Sequence, residues 1–480
     1  MRTASARDKS FGWLLVGCFC ALVVSPARAF DTATADRVLL FAQQQLERSA
    51  THPAISTTQY PKASTDGSWR LVPNTARIDW VQGFFPGQLW FMYEQGRDPV
   101  WRSRADAWTR SLELQKSHPD ITQLTHDLGF KFFTSYGNAY RLTGDDSYRQ
   151  VLLTAAGSLV RRFNPTVGVI DCCDWNSRWT VPLVTDTMMN LELLFWASRN
   201  GGDPAWSDMA LRHALKTAAD MIRPDGGTWH VVDYNTSGGI LRKETFQGYS
   251  NASTWSRGHA WAIHGFTMAY RYTRDERMLR AAQQVTDYYL ARLPADSVPH
   301  WDFDAPADQQ AKDSSAAAVV ASALLELSTF VTDPTTAQRY RSAALAMLDS
   351  LSSPAYLADG TGSPGILLHG VAFYRTPIKP TGEDIDRSLI YGDYYFIEAV
   401  LRFKRATACG WGSTPALPFQ GETDCAAREA PEVVSSGEEN RGCAAAPGSA
   451  LATVGLLLAL LRLRRRPRSF RRWAGSDSEP

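Results

Sequence analysis

A repeated pair of helices constrains this chain more than any other feature. Between Phe30 and about Lys404 apolar residues recur every third or fourth position, the period of amphipathic helices, with little of the sustained alternation that marks strands. Five Gly/Asp turns separate such stretches: Gly96-Arg97-Asp98, Thr143-Gly144-Asp145, Gly202-Asp203, Thr273-Arg274-Asp275 and Thr332-Asp333. The stretch before a turn, such as Gly129 to Leu142, is apolar and rich in small and aromatic residues. The stretch after it, such as Ser147 to Phe163, has one polar face. That contrast predicts an inner helix buried on most sides followed by an outer helix with one face in solvent. A sixth pair forms if the last inner-type helix, Asp393 to Phe403, packs on the first helix, Ala35 to Arg48. The expected fold is all-α, a six-hairpin (α/α)6 toroid or barrel, built as one domain from residues 30–406. The segments 164–185 and 224–256, each leading into an inner helix, are longer than a simple link and point to function there.

The two ends differ from this body. Residues 1–29 carry Arg2, Arg7 and Lys9, an apolar run from Phe11 to Val24, and Ala27-Arg28-Ala29, the pattern of a cleaved secretory signal. The small residues before Cys18 also permit a lipidation reading, but the apolar run continues past that cysteine. Residues 407–443, with scattered Gly, Pro, Ser and Glu, read as a flexible linker. Residues 444–461 have no charge and suit a short transmembrane or sorting helix; an Arg-rich tail, 462–480, would stay in the cytoplasm. Gly442-Cys443 before that helix is similar to bacterial sorting tails that are cut near a cysteine. The expectation is an exported protein, periplasmic or at the cell surface, with membrane or surface sorting machinery as a partner of the C-terminal segment. The formal net charge is +1. The four basic residues of 1–29 against Asp8, and the seven arginines of 462–480 against Asp477 and Glu479, leave the body near −7. So acidic a body gives no general attraction for nucleic acid or other polyanions. Of the cysteines in the body and linker, Cys409 and Cys425 could pair outside the cytoplasm, whereas the adjacent Cys172 and Cys173 read as packing residues.

Trp80, Asp127, Asp186, Arg257 and Asp313 stand 17 to 20 residues before the turn aspartates, so they share one phase of the repeat. In a ring of like pairs one phase means one end, which brings an aromatic, a cation and three acids to one mouth. Such a mixture suits sugars: aromatic faces stack on pyranose rings, a cation holds a carboxylate, and acids transfer protons. Asp127, Asp186 and Asp313 each also read as helix N-caps, Asp313 most of all. The stretch Gln247 to Ser250 with Thr254 to Trp261 is dense in aromatic and hydrogen-bonding groups, and equally suits an aromatic corner that packs a loop. His230, His259 and His264 match no known metal-ligand spacing, so no metal is expected. With no phosphate loop, dinucleotide fingerprint or Gly-x-Ser-x-Gly elbow, no cofactor is expected either.

Five segments together resemble the unsaturated glucuronyl hydrolases, glycoside hydrolase family 88. They are His126 to Phe130, Asp186 to Leu194, Gln247 to Ser250 with Thr254 to Ala262, Asp313 to Ala317, and Tyr391 to Tyr395, and they span almost the whole body in order. The resemblance implies the six-pair helical toroid, in agreement with the repeat. It also implies removal of a terminal 4,5-unsaturated uronic acid from oligosaccharides left by polysaccharide lyases, by hydration of the double bond. By motif, Asp186 would be the general acid/base and Asp127 its neighbour, raising the cost of ionising it. His230, Gln247, Arg257 and Trp261 would line the subsite for the unsaturated sugar, Arg257 as an electrostatic contact to its anionic groups. Trp175 and Tyr394 would provide walls. His259 and Cys173 depart from the family pattern, which leaves the reducing-end subsite open. The alternatives are a pectin-type hydrolase of unsaturated rhamnogalacturonan fragments, against which Trp255-Ser256-Arg257-Gly258 argues, and a surface sugar-binding protein without catalysis.

Overall fold

The computed structural model describes residues 30–377 and 379–409. The segments read as signal and as membrane or sorting helix, most of the linker and the basic tail lie outside the described residues. Among the described residues no helix is long and apolar enough to cross a membrane.

The chain is helix-rich. It opens with α1 (Thr32–Thr51), followed by the pairs α2 (Phe84–Gly96) and α3 (Pro99–Arg110), then α4 (Asn138–Thr143) and α5 (Asp146–Val160). A π-helical stretch, Gly129–Gly137, runs directly into α4. Next come α6 (Thr187–Arg199) with α7 (Ala205–Met221), α8 (Ser256–Thr273) with α9 (Glu276–Leu290), and α10 (Ser314–Phe330) with α11 (Pro334–Leu351); α12 (Ile390–Cys409) ends the described chain. The turn aspartates work as the repeat requires. Asp98, Asp145, Asp275 and Asp333 sit in extended backbone and accept a backbone N–H from the helix that follows, each cap contributing about 1 kcal/mol. Arg97, Gly144 and Arg274 end the preceding helix in the left-handed conformation.

Burial separates the helices into the two expected kinds. Almost every residue of α8 and α10 is buried, and small side chains such as Ala316 to Ala318 let neighbours approach closely. In α9 only one face is buried, through Met278, Leu279, Ala282, Val285 and Tyr289. The buried helices contact one another in succession. Helix α2 packs on the π-helical stretch, which packs on α6; α6 packs on α8, α8 on α10, α10 on α12, and α12 on α2. Each also packs on its outer partner, and α12 on α1. Each large apolar side chain taken fully out of water along these contacts contributes about 1.5–3 kcal/mol. Gly129 permits the closest approach near the site, because a Cβ there would lie 2.4 Å from the Cα of Asn190 on α6.

Among the described residues the connections of this helical body carry nine short strands: β1 (Gln59–Ser64), β2 (Trp69–Pro73), β3 (Phe163–Asn164), β4 (Val169–Ile170), β5 (Val181–Val184), β6 (Val231–Tyr234), β7 (Ile240–Glu244), β8 (Gly370–Phe373) and β9 (Glu383–Arg387). They pair antiparallel as β1-β2, β3-β4, β5-β6-β7 and β8-β9. Strands of two to six residues are too short to show alternation, and β5 and β6 are buried on both faces. The long segments 164–185 and 224–256 hold β5, β6 and β7, which form one sheet beside the start of α6.

Candidate active site

A cleft of about 460 Å³ opens at the end of the buried helices where these sheets lie. Asp127, Asp186, Trp175, His230, Gln247 and Arg257, all expected at the site, line it, together with Trp80. Residues the sequence reading had not singled out complete the lining, notably His126, Trp179, Phe246, Phe373, Tyr391 and the charged group Lys62, Lys379, Glu383 and Asp384.

Neither candidate acid caps its helix. Asp186 precedes α6, but its backbone (φ −59°, ψ −31°) is already helical, so its side chain makes no capping bond. The true caps have extended backbone, as at Asp275 (φ −76°, ψ 114°), which aims the carboxylate back over the free amides. The Asp186 carboxylate instead turns into the cleft, where Thr185 Oγ1 donates to it at 3.2 Å and His230 Nε2 lies 4.0 Å away. Desolvation raises its pKa most; His126 pulls it down, Asp127 pushes it back up and Arg257 pulls it down more weakly, leaving it raised. Asp127 Oδ2 accepts from Thr125 Oγ1 at 2.7 Å, and Oδ1 faces His126 Nε2 at 3.3 Å.

Hydrogen-bonded cross-links fix the two acids relative to each other. Asn190 Oδ1 accepts the Phe130 N–H at 2.7 Å, and Asn190 Nδ2 donates to the Asp186 carbonyl at 3.2 Å. His126 Nδ1 meets Thr187 Oγ1 at 2.7 Å. Asn190 therefore ties the first turn after Asp127 to the first turn after Asp186, a role that a single Asn inside a helical motif could not disclose.

His230 has a defined protonation state. Its Nδ1 accepts the backbone N–H groups of Phe246 and Gln247 at 3.1 and 3.2 Å, so the ring proton belongs on Nε2, which faces Asp186. Burial, helped by Arg257, holds its pKa down at about 3, so the ring is a neutral N–H donor. Gln247 uses its Nε2 to hold the Ala372 carbonyl of β8 at 2.9 Å.

Arg257 lines the cleft and is held from within the protein. Its guanidinium lies at the cleft wall but is almost fully buried and donates inward, to Asp313 Oδ2 at 2.9 Å, to the Val371 carbonyl, and to the Ala372 carbonyl at 2.6 Å. It also lies over the Trp255 and Tyr391 rings. Its charge is matched by Asp313, so Arg257 latches β8 rather than offering a free cation. Asp313 keeps its expected capping role as well, accepting the Ser315 N–H.

Trp261 and Tyr394 are not among the residues that line the cleft. Trp261 lies beneath the floor, edge-on to Trp80 and Phe130, and Tyr394 packs against Phe84 and Phe91 with its hydroxyl accepting from Asn138. Helical spacing gave their phase but not their depth. Tyr391, one turn from Tyr394 and stacked at a tilt on Trp80, takes the wall position instead. Trp175 is 47% exposed at the rim, edge-on to Trp179 and tilted against Phe246. His259 is fully buried behind the wall, bonded to Thr228 Oγ1 and the Val285 carbonyl, so its departure from the family pattern lies away from the cleft lining. Cys172 and Cys173, expected only to pack, are joined by a disulfide and line the cleft. Spacing rules had disfavoured the bond because adjacent Cα atoms, here 3.8 Å apart, lie closer than in most disulfides. Cys409 is also disulfide-bonded.

A carboxyl whose pKa is raised by desolvation, a neutral imidazole N–H beside it, and an aromatic rim define a cleft suited to transferring protons to a sugar. Residues 55–376 match Glycosyl Hydrolase Family 88, and the chain belongs to that family. It is a glycoside hydrolase. It is 41% identical to an unsaturated glucuronyl hydrolase of Formosa agariphila over 331 residues, 68% of this chain and 80% of that one. An unsaturated chondroitin disaccharide hydrolase of Streptococcus pyogenes is 32% identical over 345 residues, 71% of this chain and 84% of that one. Among solved structures, an unsaturated glucuronyl hydrolase specific for heparin superposes with a TM-score of 0.73 at 38% identity, covering 79% of this chain and 99% of that one.

Proposed function

We propose that this chain removes a terminal 4,5-unsaturated uronic acid from oligosaccharides by hydrating its C4=C5 double bond, with Asp186 as general acid and then general base. The observation that carries the reading is the Asp186 carboxyl itself: partly buried, excused from capping, with its pKa raised chiefly by desolvation, and facing the neutral His230 N–H. Asp186 would donate its proton to C4. The carboxylate it leaves would take a proton from the water that adds at C5. The product is a hemiketal, which opens and releases the neighbouring sugar. Asp127 serves by opposing ionisation of Asp186, and His230 by donating from Nε2 to the sugar. Trp175 and Trp80 provide stacking surfaces. The glucuronyl and chondroitin activities named for its relatives support a glycosaminoglycan-derived fragment, made by a polysaccharide lyase, as the substrate class.

The succession of contacts from α2 round to α12 and back to α2, each member with its outer partner, supports the six-hairpin (α/α)6 toroid. Export, with the body outside the cytoplasmic membrane and a C-terminal segment that anchors or sorts it, rests on the patterns of residues 1–29 and 444–480. Cell fractionation with and without residues 444–480 tests it: an unchanged cytoplasmic location in both would refute it.

The functional test is loss of the unsaturated-uronate absorbance on a panel of lyase-made disaccharides from chondroitin, heparin and rhamnogalacturonan. Turnover of a glucuronyl substrate, with kcat reduced at least ~10³-fold in Asp186→Asn, is expected. Turnover of the rhamnogalacturonan fragment alone would move the substrate to pectin. No turnover of any fragment, with Asp186→Asn binding them as well as the unaltered chain does, would make it a binding protein.

A further inference from the structure

Cys172 does more than line the cleft. Its carbonyl accepts the His126 N–H at 3.0 Å, one residue before Asp127, and its N–H donates to the Pro182 carbonyl of β5 at 3.2 Å, four residues before Asp186. Its backbone thus bridges the two segments that deliver the acids. Cys173 N–H donates to Asp171 Oδ1 at 3.1 Å, and Trp175 follows two residues later. Val184 and Val231 back the sulfurs, with Trp179 and Phe246 packed alongside. A bond between adjacent cysteines closes a small ring around the intervening peptide, removing backbone freedom at the point where the segment crosses between the acids.

We propose that the Cys172–Cys173 disulfide is a positioning element of the active site: oxidised, it holds Asp127, Asp186 and Trp175 in register; reduced, it releases them and slows the reaction. This rests on the assignment of Asp127 and Asp186 under the proposed function. Reduction by a water-soluble phosphine breaks the S–S bond with two electrons from phosphorus. Water supplies the two thiol protons and the oxygen of the phosphine oxide.

The test measures kcat and KM of the full chain before reduction, after phosphine, and after reoxidation. The same series on Cys172→Ser/Cys173→Ser, which keeps Cys409, separates this pair from the other disulfide. The expected result is a fall of about tenfold in kcat/KM on reduction, carried mainly by kcat, since misplacement by a fraction of an ångström is costly in a proton-transfer site. Reoxidation restores the rate, and the double variant has the reduced rate and ignores phosphine. Hydrogen exchange of peptides covering His126 and Cys172 should quicken on reduction, whether or not a substrate is turned over. Unchanged kinetics and exchange, an equal phosphine response in the double variant, or alkylation of both thiols without prior reduction would overturn the proposal. Absence of turnover in every form, with exchange still responding, would refute the functional reading and leave the positioning role standing.

Discussion

Asp393 offers a stability measurement whose size follows from the structure. Its carboxylate is almost fully buried at the start of α12 and accepts the Ile366 and Leu367 N–H groups at 3.0 and 2.9 Å. Burial pushes its pKa from 3.8 up to about 7, the two backbone donors opposing the rise without cancelling it. Below pH about 4 native and unfolded chains both carry this proton. Between there and pH about 7 only the native chain keeps it, so stability falls as pH rises through this window and the loss is complete above it. At ~1.4 kcal/mol for each pH unit, the loss amounts to roughly 4 kcal/mol. Asp393→Asn removes this titration but presents an amide NH2 to one of the two backbone donors, leaving a buried N–H unpaired at a cost of about 1–3 kcal/mol. The variant should therefore be less stable than the unaltered chain by about 2 kcal/mol near pH 4 and more stable by a similar margin near pH 8. Urea denaturation of both proteins across this range measures it, and taking the difference cancels every group they share. A difference that stays constant with pH would refute the reasoning, since it would mean the native carboxylate is ionised throughout.

Two further substitutions separate placement of the acids from binding. Asn190→Ala orphans the buried Phe130 N–H and frees the Asp186 carbonyl; it should cost about 2–3 kcal/mol in thermal or urea unfolding and lower kcat more than it raises KM. Trp175→Ala removes a half-exposed ring at the rim; KM should rise about tenfold, the equivalent of ~1.4 kcal/mol of stacking, with kcat and stability little changed. A fall in kcat as large as the rise in KM would place Trp175 closer to the chemistry than its exposure allows.

What the sequence disclosed and what it hid follow one physical division. Contacts set within a few residues were legible. The turn aspartates cap their helices because a carboxylate on extended backbone reaches amides two or three residues ahead, and the apolar period separates buried from half-buried helices. The phase of the repeat also brought Trp80, Asp127, Asp186 and Arg257 to one cleft. Contacts between distant segments were not legible. Arg257 and Asp313 are 56 residues apart, and the arginine's other acceptors lie in β8, more than a hundred residues on. Only the folded chain shows that this cation is spent on holding a strand. Depth was hidden for the same reason: Trp261 and Tyr394 have the right helical phase but belong to the layer beneath the cleft floor. His126 stood beside Asp127 in the resembling motif, and its contacts with Asp127 and Thr187 could have been sought from that adjacency.

The pairing of Arg257 with Asp313 bears directly on how readily Asp186 ionises. A guanidinium at the cleft wall favours the ionised form of any carboxylate nearby, and Arg257 does pull Asp186 in that direction. The pull is smaller than the effect of desolvation, and Asp313, 2.9 Å from the guanidinium, carries the opposite charge. Asp313→Asn tests this. Asparagine caps helices as well as aspartate, so α10 should keep its start, and the amide oxygen can still accept from Ser315 or Arg257. The negative charge is gone, however, and the unmasked Arg257 should make Asp186 easier to ionise. If protonated Asp186 is the acid, activity is lost on the alkaline side as that proton leaves, and the alkaline limb of the kcat/KM profile should move to lower pH in Asp313→Asn. The acid limb should move little. Thermal unfolding at each pH separates this from a loss of fold. A variant that remains folded with an unmoved alkaline limb would show that Asp313 does not govern the charge felt by Asp186.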